Sequence, residues 1–325
     1  MVYDESGSLA PFNFSLVLDK IPELNRLDLK LTVISFPKPV DSSNIEISHW
    51  MDMAYIIYNN YHQYEGFVIL HGTDTMAYSA SALSFILRGL TKPVIFTGAQ
   101  IPIGSTRSDA RENFITALEI ASATKGGKPI IREVCIYFNF ILLRGNRSQK
   151  IRSSTFGAFE SENYPHLAES GVHIVYNDPY IAKAAENETF GYATKMDPNV
   201  AILKIFPNIT AATVRGILEA EGLKGIVLES YGSGNTLKAQ WFLDLLNQSI
   251  AGGMIVVNVS QCQGGSVEQG RYETSKNLSE IGVISGHDMT TESAITKLMY
   301  LLGNEDERKG IIENLKLSLR GEMTV

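Results

Sequence analysis

The chain has 325 residues, 44% of them hydrophobic and 19% charged, with a formal net charge of −7. That length suffices for a sizeable core and corresponds to roughly two domains of about 150 residues. A mildly acidic surface repels phosphate backbones, which argues against a nucleic-acid partner. No apolar run approaches the roughly 18 residues that a membrane span needs. The first residues carry Asp4 and Glu5 and no apolar run of the kind that marks a signal peptide. Cys135 and Cys262 each sit inside an apolar run. The expectation is two buried, reduced thiols in a reducing compartment, with one disulfide as the alternative.

In chain order, Gly66–Leu70 reads as a buried strand and opens into His71-Gly-Thr-Asp-Thr75. A helix is predicted from Met76 to Leu87, then a strand over Pro93–Thr97 that opens into Gly98-Ala-Gln-Ile-Pro102. The next helix starts near Asp109, with Glu112 three residues on in a capping-box arrangement. Phe114, Leu118 and Ala121 form its apolar face. Val134–Phe138 is a third strand. Residues 182–199 are polar and turn-like, as in a linker. The same grammar then restarts: strand Val200–Ile205, helix Ala211–Ala220, strand Gly225–Leu228, helix Trp241–Ile250, strand Met254–Val259 and helix Thr291–Leu302. Ala294, Leu298, Met299 and Leu302 share one face of that last helix. Uniformly apolar strands alternating with helices predict two tandem α/β domains with mainly parallel sheets, over residues 1–185 and 198–325.

In such sheets ligands bind beyond the carboxyl ends of the strands. The His71–Thr75 loop is the richest of these ends, with two hydroxyls and a carboxylate before a helix start. Asp74 or Thr75 could equally cap that helix. Asp41-Ser-Ser-Asn44 reads as a polar loop. Arg144-Gly-Asn-Arg147 with Lys150 reads either as a solvated basic loop or as the carrier of a lysine able to accept a hydroxyl proton. Ser230–Asn235 is glycine-rich, but no Walker lysine follows it, and Ser233 lacks the frame of a nucleophile elbow. None of the six histidines, His49, His62, His71, His166, His173 and His287, pairs at i, i+4. No metal site is expected, and His71 reads first as a structural hydrogen-bonding residue.

Taken together, these loops resemble the L-asparaginase family, and its cytoplasmic type I branch in particular. The matching segments are Asp41-Ser-Ser43, Gly66–Tyr78, Pro93–Pro102, Arg107-Ser-Asp109, Arg144–Arg147 with Lys150, Ser230-Tyr-Gly, Gly234-Asn235 and Leu319–Thr324. The resemblance implies an asparaginase-like fold. It also implies hydrolysis of L-asparagine to L-aspartate and ammonia with no metal and no cofactor, in a cytoplasmic homodimer or homotetramer. Thr73 matches the family's second threonine, Asp74 the carboxylate that grips the substrate's α-amino group, and Lys150 the lysine of that triad. Ser42 and Ser43 match positions holding the α-carboxylate, Ala99 a backbone contact near the side-chain amide, and Asn235 a residue completing a neighbouring subunit's site.

The sequence also departs from the family. An opening strand ending in Thr-Gly-Gly-Thr-Ile-Gly, whose first threonine is the nucleophile, does not occur in it. The expectation is a natural start further upstream; a degraded gene and a non-catalytic amide-binding relative are the alternatives. The stretch Ser6–Pro11 lacks the family's tyrosine, and Tyr3, Tyr272 and Tyr300 are the nearby or remote substitutes. Cys262 matches one residue of a second, activating asparagine site. Glu229 and Gln149 replace an arginine and a threonine there, so activation is expected to be weak or absent. A glutamine-preferring relative and the asparaginase-like subunit of an archaeal tRNA amidotransferase are the other readings.

Overall fold

The computed structural model describes residues 2–3, 9–10, 21–183, 188–270 and 273–325. Two compact units divide the chain. The first runs to Tyr192, except for residues 84–86 and 162–164. The second takes those two segments and Ala193–Val325.

Among the described residues, the first α-helix of the first unit is α1 (Ile47–Asn60), which sequence reading missed. It buries Trp50, Met53, Ala54 and Ile57, the i, i+3, i+4, i+7 spacing of one helix face. The strands β1 (Phe67–Leu70), β2 (Val94–Thr97) and β3 (Val134–Phe138) follow, with α2 (Met76–Ile86) and α3 (Ala110–Ser122) between them. Every residue of β2 and β3 is buried, as apolar strands covered on both faces require. In α3, Phe114, Leu118 and Ala121 are buried as the pattern predicts.

Beyond β3 the sheet departs from the expected parallel pattern. β4 (Ile141–Arg144) returns antiparallel, and β7 (Ala168–Ser170) and β8 (Ile174–Tyr176) extend it antiparallel. The order is β8-β7-β4-β3-β2-β1, so this sheet is mixed. The cause is a two-residue hairpin: Asn139 and Phe140 both have positive φ, 46° and 69°. That is the conformation that lets a tight turn follow the strands' own twist. Among the described residues β1 has a partner on one side only, and its Leu70 is 42% exposed. Between β4 and β7 the short strands β5 (Gln149–Lys150) and β6 (Phe159–Glu160) pair with each other.

The solvated-loop reading of Arg144–Arg147 does not hold. Arg144, Asn146 and Arg147 are all buried. Arg144 is paired with Glu133 (Nε to Oε2, 2.5 Å) and donates to the Tyr180 carbonyl at 3.0 Å. Glu133 also accepts the Ala182 N–H. A buried charge is tolerated because it is paired and hydrogen-bonded.

The second unit is the expected parallel sheet, β9 (Val200–Lys204), β10 (Gly225–Ser230), β11 (Ile255–Ser260) and β12 (Ile284–Ser285), in that order. Its helices are α4 (Ala211–Leu218), α5 (Gln240–Ala251), α6 (Glu273–Glu280), α7 (Thr291–Asn304) and α8 (Arg308–Leu315). Leu203, Val214, Leu228, Phe242, Leu246 and Val256 lie in one core cluster. α6, α8 and β12 carry too few apolar residues to have been read from pattern. On α7, Ala294 and Leu298 are buried, but so is Lys297 between them. Its Nζ lies 2.6 Å from Glu322 and donates to the Leu315 and Leu317 carbonyls. This pair pins the closing Leu319–Thr324 segment, because Glu322 also accepts the Leu319 and Arg320 N–H groups.

Both cysteines are free. Cys135 is buried on β3, and burial raises its thiol well above the ordinary range. Cys262, expected to be buried, is exposed, because it sits in the loop beyond β11 rather than on the strand.

Candidate active site

β1 and β2 are adjacent and parallel, and the ladder continues past β1 through the His71 N–H to Thr97 O bond. The loops that leave their carboxyl ends therefore lie side by side. They carry Thr73 and Asp74 on one and Ala99 and Gln100 on the other. The short strand β5 brings Lys150 to the same place.

Lys150 Nζ donates to Thr73 Oγ1 at 2.8 Å and to Asp74 Oδ1 at 2.6 Å. The Lys150 side chain is 16% exposed, whereas that of Asp74 is 68% exposed. The carboxylate can thus meet a ligand while the lysine is held behind it. Thr73 Oγ1 in turn donates to Gln100 Oε1 at 3.2 Å, and Gln100 Nε2 donates to the Thr155 carbonyl. Gln100 is a member of this group that sequence reading passed over. Its position beyond a buried strand was the available signal.

Thr75 is the cap residue of α2, but neither it nor Asp74 caps the helix through its side chain. Its hydroxyl donates to the Ser42 carbonyl at 2.7 Å, which ties the Asp41–Asn44 turn to the site. Asp41 Oδ1 accepts the Ser43 N–H and so forms the one-turn 3-10 helix Ser42–Asn44. Ser42 is buried and Ser43 exposed. A Cβ on Gly72 would stand 2.4 Å from Ser42 Oγ and 2.7 Å from its Cβ, so glycine is required for this approach.

His71 faces away from the array. Its Nδ1 lies 2.7 Å from the Gly72 carbonyl, and its Nε2 2.9 Å from Ser79 Oγ, which also accepts the Trp50 indole N–H. A carbonyl only accepts, so Nδ1 carries the proton and Ser79 donates to Nε2. Burial lowers the His71 pKa, partly offset by the bond to Gly72. This agrees with the structural role read from sequence.

Asp109 caps α3 in position only. Its carboxylate accepts the Gln100 and Ile101 N–H groups rather than any backbone N–H of its own helix, so the expected capping box is absent. Among the described residues no group of three or more His, Cys, Asp or Glu side chains is placed to hold a metal ion.

Of the residues singled out from sequence, Lys150 bonds to both Thr73 and Asp74. Ser42, Ser43 and Ala99 lie on the adjoining loops of the same unit. Asn235 belongs to the second unit, where it bonds to Tyr231 in the turn after β10. Tyr272 lies outside the described residues, as do residues 6–8 and 11. Only the backbone of Tyr3 is described, and Tyr300 is on α7.

Family profiles match both halves: "Asparaginase, N-terminal" over residues 1–182 and "Glutaminase/Asparaginase C-terminal domain" over residues 199–314. The chain belongs to the asparaginase family. L-asparaginase 1 of Escherichia coli is 41% identical over 305 residues, covering 94% of this chain and 88% of that one. The crystal structure of L-asparaginase I from Vibrio cholerae superposes with a TM-score of 0.89 at 36% identity, covering 99% of this chain and 95% of the other. The thermostable L-asparaginase from Thermococcus kodakarensis gives 0.90 at 30% identity, over 100% and 95%.

Proposed function

We propose that this chain is an amidohydrolase that converts L-asparagine and water to L-aspartate and ammonia. The carrying observation is the Thr73–Lys150–Asp74 array, with a lysine between a hydroxyl and an exposed carboxylate. In this reading Asp74 takes the substrate's α-ammonium, and Ser42 and Ser43 take its α-carboxylate. The Ala99 backbone faces the side-chain amide. At rest Nζ donates to Thr73. Lys150 in its neutral form accepts the proton of the Thr73 hydroxyl or of a water it orients. That oxygen attacks the amide carbon, Lys150 passes the proton to the nitrogen as the C–N bond breaks, and ammonia leaves. Where Thr73 is the attacking group, a water then hydrolyses the resulting ester, releasing L-aspartate and restoring the hydroxyl.

Preference for asparagine over glutamine is part of the proposal. One methylene is worth only about 1–3 kcal/mol. The reading includes a cytoplasmic homodimer or homotetramer in which Asn235 serves a neighbouring subunit; the two free cysteines support the reducing compartment. In it, activation by asparagine at a second site is weak or absent. Glu229 is already engaged by Lys204 at 3.1 Å and by the Thr291 hydroxyl at 2.6 Å.

A second reading is an amide-binding protein without turnover. It would keep Ser42, Ser43 and Asp74 as the groups that hold the amide. Calorimetry and ammonia release separate the two readings. Binding of L-asparagine with steady release of ammonia supports hydrolysis. Binding without release supports the second reading, and absence of binding contradicts both.

A further inference from the structure

The backbone of the Gly98–Ile101 loop is held largely by side chains at the start of α3. Asp109 Oδ2 accepts the Gln100 N–H and Oδ1 the Ile101 N–H, each at 3.0 Å. One turn on, Asn113 Nδ2 donates to the Gly98 carbonyl at 3.0 Å and to Asp109 Oδ2 at 3.2 Å. Its Oδ1 accepts the Asn139 N–H from the β3–β4 turn. The Ser108 hydroxyl donates to the Ile101 carbonyl at 2.8 Å. From below, Gly98 packs so closely on β1 that a Cβ would stand 2.3 Å from the His71 carbonyl oxygen. The loop is fixed on both sides of Ala99, and no described residue hydrogen-bonds to the Ala99 backbone itself. Asn113 is 2% exposed, and its three polar contacts leave it no rotameric freedom.

We propose that Asp109 and Asn113 are positioning residues that set the preference for asparagine over glutamine. This rests on the function proposed above. They fix the Ala99 carbonyl, which accepts from the substrate's side-chain NH2, at one distance from Asp74. Glutamine places its amide about 1.5 Å further along, one C–C bond. A loop bonded at four backbone atoms does not slide to follow it. Loosening the clamp therefore weakens asparagine more than glutamine.

The test is calorimetric titration of L-asparagine and L-glutamine into the wild-type chain and into Asp109→Asn, Asn113→Asp and Ser108→Ala, with thermal unfolding alongside. Asp109→Asn sets a donor against a donor, and Asn113→Asp sets an acceptor against two acceptors, the Gly98 carbonyl and the Asp109 carboxylate. The Kd for asparagine is expected to rise about tenfold in each, equivalent to about 1.4 kcal/mol. The Kd for glutamine should change less than threefold. Ser108→Ala removes the bond to the Ile101 carbonyl and the acceptor of the Ala110 N–H without creating a clash, so it keeps the test open if the other two do not fold; its asparagine Kd is expected to rise two- to threefold. Equal weakening of both amides would make the clamp merely structural and overturn the proposal, as would equal wild-type affinity for the two. A wild-type chain that binds neither would instead overturn the functional reading beneath it.

Discussion

Lys150 Nζ stands 2.8 Å from Thr73 Oγ1 although the two residues are 77 positions apart in the chain. Two features of the fold bring them together. The His71–Thr75 loop is set by the β1–β2 ladder, and β5 follows directly from the buried Gly145–Arg147 turn. The array is therefore supported by the core rather than by flexible surface.

Removing the Asp74 charge tests the binding half of the array. Asp74→Asn keeps the shape but loses a charge-assisted contact worth about 1.5–3 kcal/mol. The KM for L-asparagine is expected to rise roughly ten- to a hundredfold, measured by initial-rate ammonia release. An unchanged KM would remove Asp74 from the substrate's ammonium.

Gly72→Ala tests how the Asp41–Asn44 turn is docked. The new Cβ would fall within 2.7 Å of Ser42 Cβ, an atom that no rotamer change can move. Asparagine affinity is expected to fall at least tenfold, read by calorimetry, with circular dichroism unchanged. Wild-type affinity would mean that Ser42 takes no part in binding.

The His71 bonds predict a specific tautomer and a pH dependence. Nitrogen NMR should find the proton on Nδ1. The folded pKa lies below the ordinary 6.5, so between the two values the unfolded chain binds more protons and stability rises with pH. The contribution is complete above about pH 6.5 and is lost as pH falls toward the folded value. His71→Gln keeps a donor for Gly72 but does not titrate. Urea unfolding at pH 7.5 and 5 should show a smaller loss for the variant than for the wild-type chain.

The Lys297–Glu322 pair tests the closing segment. Lys297→Met leaves a fully buried carboxylate without its cation. Such a change costs about 3–5 kcal/mol, to be measured by chemical denaturation. Glu322 also accepts two backbone N–H groups, so Lys297→Met combined with Glu322→Gln should recover part of that loss. A loss below 1 kcal/mol in the single variant would show that the segment is held by other contacts.

Most strands and helices with strong apolar periodicity were legible in the sequence, although α1 was passed over despite its Trp50, Met53, Ala54 and Ile57 face. The grouping of Lys150 with Thr73 and Asp74 was implied by the family resemblance rather than by local pattern. What was not legible has physical causes. The β3–β4 hairpin turns on Asn139 and Phe140, and a phenylalanine with positive φ gives no turn signal. The Arg144–Arg147 run looks like a solvated loop because its neutralising partner, Glu133, reaches it only across the hairpin. Lys297 breaks an apolar face for the same reason, since Glu322 arrives from the far end of the chain. Asp109 looked like a helix cap, and its true partners, Gln100 and Ile101, lie upstream of the helix. In each case a polar residue's role is fixed by a partner that local pattern does not show.

The central claim is that Lys150 activates the Thr73 hydroxyl, or a water it orients, for amide hydrolysis. Ammonia release from L-asparagine by the wild-type chain and by Lys150→Met, side by side, tests it most directly. The account predicts steady release by the wild-type chain and at least a hundredfold loss in the variant, on the scale of removing a general base. No release from the wild-type chain, or equal release from both, would contradict it.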